Sequence, residues 1–413
     1  MNLPKRYLLS EMNLSDRHGG GLTLQRILDE DLNDFDHFIQ LMDYPSFPTN
    51  PKYLPRVLEL WKDLPEFSSP EFRSRFSKKY LLFFGKRTLG IPTPEYQKHD
   101  FINFHLYKNL LRKVSIERDK FLVVPQKFQS VYLTNNLYKN NKIQYAAWVM
   151  DDHLLKYNKT KGFYYAKPPG FERHYKTFLK NAQHVFVISE SMGEFYKERF
   201  GINSSVLFGS SDPIGKEPTK NQFSDHIRLC YFGAVWKWQQ DALEVLVKTL
   251  DKLNASLHIY TFHKLTDDIK AQSRVFVEQP VAAQNVKNVM AKYDGVIVPY
   301  GFIDDVRPLS ALNISTKLSE CLASGIPTVL IGPEYGAMTK FARKYNCAVI
   351  LSDMNNPIQI EAFRNAFGKG RNALLENARN VAEQVTSSTA MRNVWKEGWA
   401  KVVAESEANM KYS

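Results

Sequence analysis

The segment richest in candidate binding residues runs from Asn313 to Leu330 and reads NISTKLSECLASGIPTVL. Ser315 and Thr316 are both good helix N-caps, and the amides exposed after such a cap attract an anion. A helix terminus alone contributes only about 0.3–2 kcal/mol toward an anion, which is too little to hold a diphosphate. We therefore expect a cation close by, and Lys317 stands in the first turn to supply it.

Glu320 stands one turn after Lys317 on the same face of the predicted helix, because residues i and i+3 are neighbours there. Its carboxylate could accept hydrogen bonds from the two hydroxyl groups of a ribose. Hydrogen bonds to a charged group are each worth about 1.5–3 kcal/mol. A capped helix with a Lys–Glu surface pair also explains this spacing, so both interpretations stay open on the residues alone.

Residues 316–327, which read TKLSECLASGIP, resemble the donor-binding signature of the retaining GT-B glycosyltransferases of family 4. The resemblance implies that Lys317 meets the diphosphate of a nucleotide-sugar donor and that Glu320 binds its ribose. It also implies retention of the anomeric configuration and no bound metal. Leu312 stands eight residues before Glu320, where many family members have a second glutamate, so the role of that glutamate is unassigned in this chain.

The resemblance extends beyond this signature. HVFVISESM at 184–192 is similar to the last strand and following helix of the family's N-terminal domain. YFGAVWK at 231–237 is similar to the opening of its donor domain, and DGVIVPY at 294–300 to the strand before its donor loop. The likeness covers residues 180–335 well and the first 180 residues loosely.

Two glycine positions could bring backbone amides close to a phosphate. Gly233 ends a predicted strand, where a glycine lets the backbone approach an anion, and Lys237 could add charge. Gly19, Gly20 and Gly21 form a predicted turn whose amides open a helix, as the N-terminal glycine loop of the family does. A plain tight turn is the alternative in both places.

The predicted catalytic residues are Asp151, Asp152 and His153, which follow a strand that ends at Met150. A carboxylate or imidazole there could accept the proton of an incoming hydroxyl group, or stabilise positive charge that develops on a sugar. A metal site is a weaker interpretation, because three consecutive residues rarely converge on one ion. An Asp152 helix cap beside a solvated Asp151 is the plain alternative.

The loop after Tyr300 contains Asp304, Asp305 and Arg307. This loop could line the donor sugar, with the Arg307 guanidinium on a phosphate. Tyr300 and Arg307 therefore join the predicted donor-binding residues.

Strands and helices alternate in both halves of the chain. The strands are continuous β-branched and aromatic runs, as in buried parallel sheets, and they are predicted at 7–11, 120–125, 146–150, 184–189, 227–233, 257–262, 274–278, 295–299, 328–331 and 348–351. This order predicts an α/β protein of GT-B type, with two Rossmann-like parallel-sheet domains facing across a cleft. In such sheets, ligands bind beyond the carboxyl ends of the strands.

The length of 413 residues suits two domains of about 200 residues each. We expect an N-terminal acceptor-side domain over 1–210, a linker over 211–225 and a donor domain over 226–387. A final helix within 388–413 carries Trp395 and Trp399 on one face and could pack toward the N-terminal domain.

The composition predicts a cytoplasmic protein. No apolar run approaches the roughly 18 residues needed to cross a bilayer, and the opening residues lack the apolar core of a signal peptide. Cys230, Cys321 and Cys347 are far apart and lack CxxC spacing, which favours free thiols over a disulfide framework or a zinc site.

A net charge of +12 calls for an anionic partner. The densest basic patch, at 72–87, interleaves cations with aromatic residues and could lie on the anionic inner face of a membrane, where each cation contributes about 1 kcal/mol. A solvated helix face that leads into a buried strand is the alternative.

These observations predict a glycosyltransferase that moves a sugar from a nucleotide-sugar to a polysaccharide or lipid-linked glycan acceptor. No cofactor, metal or nucleic-acid partner is expected. Two alternatives stay open: a nucleotide-sugar epimerase of GT-B architecture, and a non-catalytic basic protein that binds nucleic acid or membrane.

Overall fold

The computed structural model describes residues 4–16, 19–41, 48–60, 62, 105–152, 170–213, 226–282 and 285–410. The chain divides into two compact units. The first unit comprises Met1–Phe186, Lys197–Ser205 and Lys396–Ser413, and the second comprises Val187–Tyr196 and Val206–Trp395. In the described part of the chain, no helix is both long enough and apolar enough to span a membrane.

The first unit is built on a seven-stranded sheet in the order β3-β2-β1-β4-β5-β6-β7. The pairings of β1 with β2 and β4, of β2 with β3 and of β4 with β5 are parallel. The strands are β1 Arg6–Ser10, β2 His37–Gln40, β3 Val57–Glu59, β4 Lys120–Val124, β5 Gln144–Val149, β6 His184–Val187 and β7 Ser205–Val206. The α-helices are Gly19–Leu28, residues 105–113, Phe128–Asn141 and Phe171–Asn181, and the 3-10 helices are Asp29–Asp34 and Pro51–Arg56. A further helix, Glu190–Phe200, is divided after Tyr196, with its first part in the second unit and its last part in the first.

The central strands of this sheet are buried along nearly their whole length. Every residue of β4 is buried, and Trp148 and Tyr145 of β5 are fully enclosed. Tyr7 of β1 lies opposite Phe121 of β4 in the parallel register, and their rings stack with centroids 4.8 Å apart. Continuous apolar strands of this kind are expected where helices cover both faces of a sheet.

The second unit contains a six-stranded parallel sheet in the order β10-β9-β8-β11-β12-β13. Its strands are β8 Ile227–Phe232, β9 Ala255–Tyr260, β10 Val275–Glu278, β11 Gly295–Pro299, β12 Thr328–Ile331 and β13 Val349–Leu351. Its helices are Lys237–Val247, Asp267–Lys270, Val286–Met290, Arg307–Leu312, Lys317–Leu322, Ala337–Tyr345, Pro357–Ala366 and Arg371–Gln384, with a 3-10 turn at Asp304–Val306.

The second sheet changes direction at its centre. The chain runs from β8 outward through β9 to β10, then returns to the other side of β8 and continues through β11, β12 and β13. The point between β8 and β11 is therefore the topological switch point, where open α/β sheets bind ligands beyond the strand ends. Phe232 and Tyr260, the last residues of β8 and β9, stack with ring centroids 4.6 Å apart at this edge.

The last helix, Ser388–Met410, is divided between the units after Trp395. The Asp212 carboxylate accepts a hydrogen bond from the Ser388 N–H over 2.8 Å, which caps its start. Trp395 is fully buried, and the ring of Trp399 lies 5.6 Å from that of Phe35 in the first unit.

The C-terminal part of this helix is tied to the first sheet through His184. The Lys401 ammonium lies 3.3 Å from His184 Nδ1, and His184 Nε2 lies 3.0 Å from the Ser205 hydroxyl. A lysine can only donate, so Nδ1 is unprotonated and Nε2 donates to Ser205. Burial, together with the Lys401 charge, lowers the pKa of His184 to about 4.

Two local predictions are wrong. The amphipathic pattern of residues 241–253 predicts a helix over that range. The helix instead runs over Lys237–Val247, and the chain turns after it, where the Ala255 N–H donates to the Leu250 carbonyl. The glycines at 19–21, predicted as a turn, form the first turn of the helix Gly19–Leu28.

Candidate functional site

Lys317 and Gly233 lie together at the carboxyl edge of the second sheet. Gly233 follows β8 with a φ of +117°, a conformation that side chains rarely adopt. A Cβ atom built on Gly233 would lie 2.9 Å from Lys317 Cε and closer still to Nζ. The Lys317 ammonium therefore occupies the space that the glycine leaves open, beside the switch point.

Tyr231 holds the Lys317 ammonium in this position. Lys317 Nζ lies 3.1 Å from the Tyr231 hydroxyl and 4.6 Å from the centre of its ring. The same hydroxyl lies 2.6 Å from the Ala234 carbonyl oxygen, in the loop that follows Gly233. Tyr231 is 1% exposed, so its ring is fixed by the core of the unit. No local pattern in the sequence marks Tyr231 as part of the site.

The start of the helix Lys317–Leu322 differs from the expected anion site. Thr316 has helical φ and ψ angles and makes no side-chain cap, whereas the Ser315 hydroxyl accepts a long 3.4 Å hydrogen bond from the Lys317 N–H. The Leu318 N–H bonds the Ser315 carbonyl. With these amides engaged in a six-residue helix, the positive charge at this place comes chiefly from the Lys317 side chain.

Glu320 is half-buried on the same short helix, one turn after Lys317. The adjacent Cys321 is buried, and burial together with the Glu320 charge raises the pKa of its thiol to about 12. Leu312, at the position of the second family glutamate, is buried, and its carbonyl accepts a hydrogen bond from the Ser189 hydroxyl. This carbonyl is thereby fixed, and no carboxylate stands at that position.

The loop after β11 is held by Asp241, which no local pattern in the sequence marks either. One carboxylate oxygen of Asp241 accepts hydrogen bonds from the Phe302 N–H over 2.6 Å and the Ile303 N–H over 3.1 Å. Burial raises the pKa of this carboxyl group, and hydrogen bonds from the backbone N–H groups of Phe302, Ile303 and Ala242 oppose that shift. Asp241 thus links the helix after β8 to the loop after β11.

Tyr300 and Arg307 point in different directions within this loop. Tyr300 is largely buried, and its hydroxyl donates a 3.4 Å hydrogen bond to the Leu309 carbonyl. The Arg307 guanidinium lies 4.5 Å above the Tyr335 ring and 3.8 Å from the Asp304 carboxylate, with 61% of its side chain exposed. Arg307 is therefore available to an anion, whereas Tyr300 supports the loop from within.

Lys237 begins the helix Lys237–Val247, and its side chain is exposed. The loop between Gly233 and Lys237 is braced by His263, whose Nδ1 lies 3.0 Å from the Val235 carbonyl. Trp236 is 48% exposed and makes an edge contact with the His263 ring at 4.6 Å. The structure thus brings Lys317, and not Lys237, into the space beside Gly233.

In the first unit, Gly21 allows the helix Gly19–Leu28 to pack against the segment after β1. A Cβ atom at Gly21 would lie 2.7 Å from the Ser15 nitrogen and closer to the Asn13 carbonyl oxygen. Gly19 is exposed and Gly20 half-buried at the start of the helix. The requirement for glycine at position 21 is therefore explained by packing.

Glu11, the residue after β1, lies fully buried with its carboxylate at the start of the helix Phe128–Asn141. It accepts hydrogen bonds from the N–H groups of Gln126, Lys127 and Ser130 over 2.6, 2.8 and 2.9 Å, and from the Ser130 hydroxyl over 2.9 Å. Burial raises the pKa of Glu11, and these hydrogen bonds oppose the shift. The chain's own carboxylate fills the anion position of this helix.

Asp151 and Asp152 follow β5 at the carboxyl edge of the first sheet. Asp151 is half-buried, whereas Asp152 is only 1% exposed. His153 and the basic patch at 72–87 lie outside the described residues. The backbone of Asp305 is described, but its side chain is not. Across the described ranges, no group of three or more His, Cys, Asp or Glu side chains is placed to hold a metal ion.

No protein-family model matches the sequence, and no curated protein matches it either. Solved structures match nearly the whole chain. Sucrose-phosphate synthase from Thermosynechococcus elongatus has a TM-score of 0.65 at 12% identity, over 97% of this chain and 100% of that one. The lipopolysaccharide outer core galactosyltransferase WaaB has a TM-score of 0.62 at 10% identity, over 97% and 99%.

HepE from Anabaena, solved in complex with UDP, has a TM-score of 0.59 at 10% identity, over 96% of this chain and 99% of that one. These proteins are GT-B glycosyltransferases, and the likeness extends over both units. The chain accordingly has an α/β fold of two Rossmann-like parallel-sheet units that matches GT-B glycosyltransferases.

Proposed function

We propose that this chain is a glycosyltransferase whose second unit binds the diphosphate of a nucleotide-sugar between Gly233 and Lys317. The observation that supports this most is the Lys317 ammonium beside the glycine that follows β8, at the switch point of the sheet. A backbone without a side chain lets a phosphate approach closely, and the ammonium neutralises charge that grows on the departing diphosphate.

The donor is proposed to be a nucleotide-sugar, with Glu320 on the ribose. Glu320 lies one helical turn from Lys317, which is a suitable separation for the diphosphate and ribose of one nucleotide. HepE, which has the same fold, was solved with UDP and with UDP-glucose. In this proposal Lys317 supplies the positive charge, and the transfer step uses no metal ion.

The acceptor is proposed to be a hydroxyl group of a polysaccharide or lipid-linked glycan, and the transfer to retain the anomeric configuration. WaaB, named for its action on the lipopolysaccharide outer core, supports an acceptor of this class. Asp151 and Asp152, beyond the end of β5, are the proposed proton acceptor or charge stabiliser in the first unit. A lipid-linked acceptor would also require peripheral attachment to the membrane, for which the basic patch at 72–87 is the candidate.

The proposal is tested first by thermal unfolding with UDP, GDP, ADP, CMP and dTDP. A ligand at one hundred times its dissociation constant stabilises the folded state by about 2.7 kcal/mol, so one nucleotide should raise the unfolding temperature measurably. Lys317→Ala and Glu320→Ala should reduce this stabilisation. Lys340→Ala is the matched control, because Lys340 is an exposed lysine on another helix of the same unit.

The matching nucleotide-sugar is then incubated with the protein, and the products are separated. Release of the free nucleotide with sugar transferred to a glycan supports the proposal, whereas an epimerised nucleotide-sugar supports the epimerase alternative. If none of the five nucleotides stabilises the protein, or if Lys317→Ala and Glu320→Ala both respond like the native chain, the proposed donor site is wrong.

A further inference from the structure

Tyr231 connects three parts of the proposed donor site. It belongs to β8, its hydroxyl is 3.1 Å from the Lys317 ammonium, and the same hydroxyl is 2.6 Å from the Ala234 carbonyl oxygen. The loop containing Ala234 begins at Gly233, whose missing side chain leaves the space that the ammonium fills. One buried phenol therefore contacts both the cation and the backbone that would surround a phosphate.

The direction of the hydrogen bonds at Tyr231 is fixed by the chemistry of its neighbours. A carbonyl oxygen can only accept, so the single proton of the Tyr231 hydroxyl is donated to Ala234. An ammonium can only donate, so the hydroxyl oxygen accepts from Lys317. Neither bond can be reversed, so one hydroxyl group donates to the loop and accepts from the lysine at the same time.

The ring of Tyr231 adds a second restraint. The Lys317 ammonium lies 4.6 Å from the ring centre, within the range of a cation–π interaction. A free lysine side chain has a rotamer entropy worth about 2 kcal/mol, which a flexible residue loses when it binds a ligand. A lysine that is already held by ring and hydroxyl loses less, so its affinity for an anion is higher.

We propose that Tyr231 is a positioning residue that holds Lys317 in the orientation that binds the donor diphosphate, and that it shapes the loop after Gly233 through Ala234. This inference rests on the proposed function. It assigns to Tyr231 no contact with the reacting sugar, since the residue is 1% exposed and acts through Lys317.

The test compares Tyr231→Phe with the native chain and with Lys317→Ala. The Phe variant keeps the ring and removes the hydroxyl. Tyr145→Phe is the control, because the Tyr145 hydroxyl also donates to a buried carbonyl, that of Phe178, in the first unit. Affinities are measured by titration calorimetry for the nucleoside diphosphate selected in the thermal screen and for its parent nucleoside, which lacks the phosphates.

Tyr231→Phe should weaken binding of the diphosphate about fivefold, the equivalent of one modest hydrogen bond, and leave that of the nucleoside unchanged. Tyr145→Phe should change neither affinity. A structural role alone would weaken both ligands equally and would overturn the inference.

A second outcome separates this inference from the proposed function. One possible result is that Lys317→Ala no longer binds the nucleoside diphosphate, whereas Tyr231→Phe binds it with the affinity of the native chain. In that case Tyr231 does not position the lysine, and the proposed function stands. If no diphosphate binds the native chain, both are wrong. Circular dichroism of each variant confirms that it is folded before its affinities are compared.

Discussion

Replacing Gly233 with alanine should disturb Lys317 in a way that a second substitution repairs. The new Cβ atom would lie 2.9 Å from Lys317 Cε and closer to Nζ, whereas ordinary van der Waals contact begins at 3.4 Å. The lysine must therefore move, and we expect it to lose its contacts with Tyr231. In a Lys317→Ala background this crowding is absent.

Two costs contribute to Gly233→Ala, and they can be separated. The φ of +117° is unfavourable for alanine whatever the lysine does, by about 1–3 kcal/mol. The displaced lysine loses one hydrogen bond and one cation–π contact, together about 1–2 kcal/mol. Only the second cost depends on Lys317. The coupling free energy between the two substitutions should therefore be about 1–2 kcal/mol.

The measurement is a double-mutant cycle on the free energy of unfolding in urea, with affinity for the nucleoside diphosphate selected in the thermal screen as a second readout. Gly325→Ala is the matched control: its φ is +77°, and no atom lies within 4 Å of an added Cβ, so it should show no coupling with Lys317→Ala. Gly233→Ala should also weaken binding of that nucleoside diphosphate about tenfold, the equivalent of about 1.4 kcal/mol. A coupling below about 0.3 kcal/mol would refute the placement of Lys317 beside Gly233.

Three further predictions concern buried polar groups. The pKa of His184 is lowered from 6.5 to about 4 in the folded protein. Between these pH values the imidazole is protonated in the unfolded chain but not in the folded one, so the free energy of unfolding should fall by up to about 1.4 kcal/mol per pH unit from pH 6.5 toward 4. Urea unfolding at pH 7 and pH 5 should show a smaller loss in His184→Gln; equal losses would contradict this. Glu11→Ala leaves the donors around the buried carboxylate without an acceptor and should lower the free energy of unfolding by about 3 kcal/mol. Glu11→Gln keeps one acceptor oxygen and should lose less. An Ala variant as stable as the native chain would oppose this account. Asp241→Ala should speed amide hydrogen exchange at Phe302 and Ile303, because their N–H groups lose their acceptor. Asp241→Asn retains an acceptor oxygen and should keep the exchange of both amides slow. Unchanged exchange in the Ala variant would argue against this role.

The strands of the second sheet were the most predictable part of the fold. Gly295–Pro299 and Thr328–Ile331 have the bounds that the sequence predicts, because each is a β-branched apolar run. β2 and β3, with four and three residues, were not predicted, since runs this short carry no distinct pattern.

The sequence identified Gly233 and Lys317 separately but associated Gly233 with the nearby Lys237. Which lysine reaches the glycine depends on the order of strands in the sheet, which places the helix Lys317–Leu322 near the end of β8. Local spacing contains no information about that order. The predicted donor roles of Lys317 and Glu320 stay predictions until binding is measured.

Glu11, Asp241 and Tyr231 were missed for a common reason. The partners of Glu11 lie 115 to 119 residues away in sequence, and those of Asp241 lie 61 and 62 residues away. Tyr231 meets Lys317 across 86 residues. A carboxylate or phenol that acts at such separations has no local signature, and it is found only when the fold is known.

The division of the chain has a consequence for its biosynthesis. The polypeptide passes from one unit to the other at Phe186–Val187, Tyr196–Lys197, Ser205–Val206 and Trp395–Lys396. The first unit includes Lys396–Ser413, with the lysine that meets His184, so its packing is complete only after that segment has been translated. The unit that opens the chain therefore depends on a segment that is translated after the whole of the second unit.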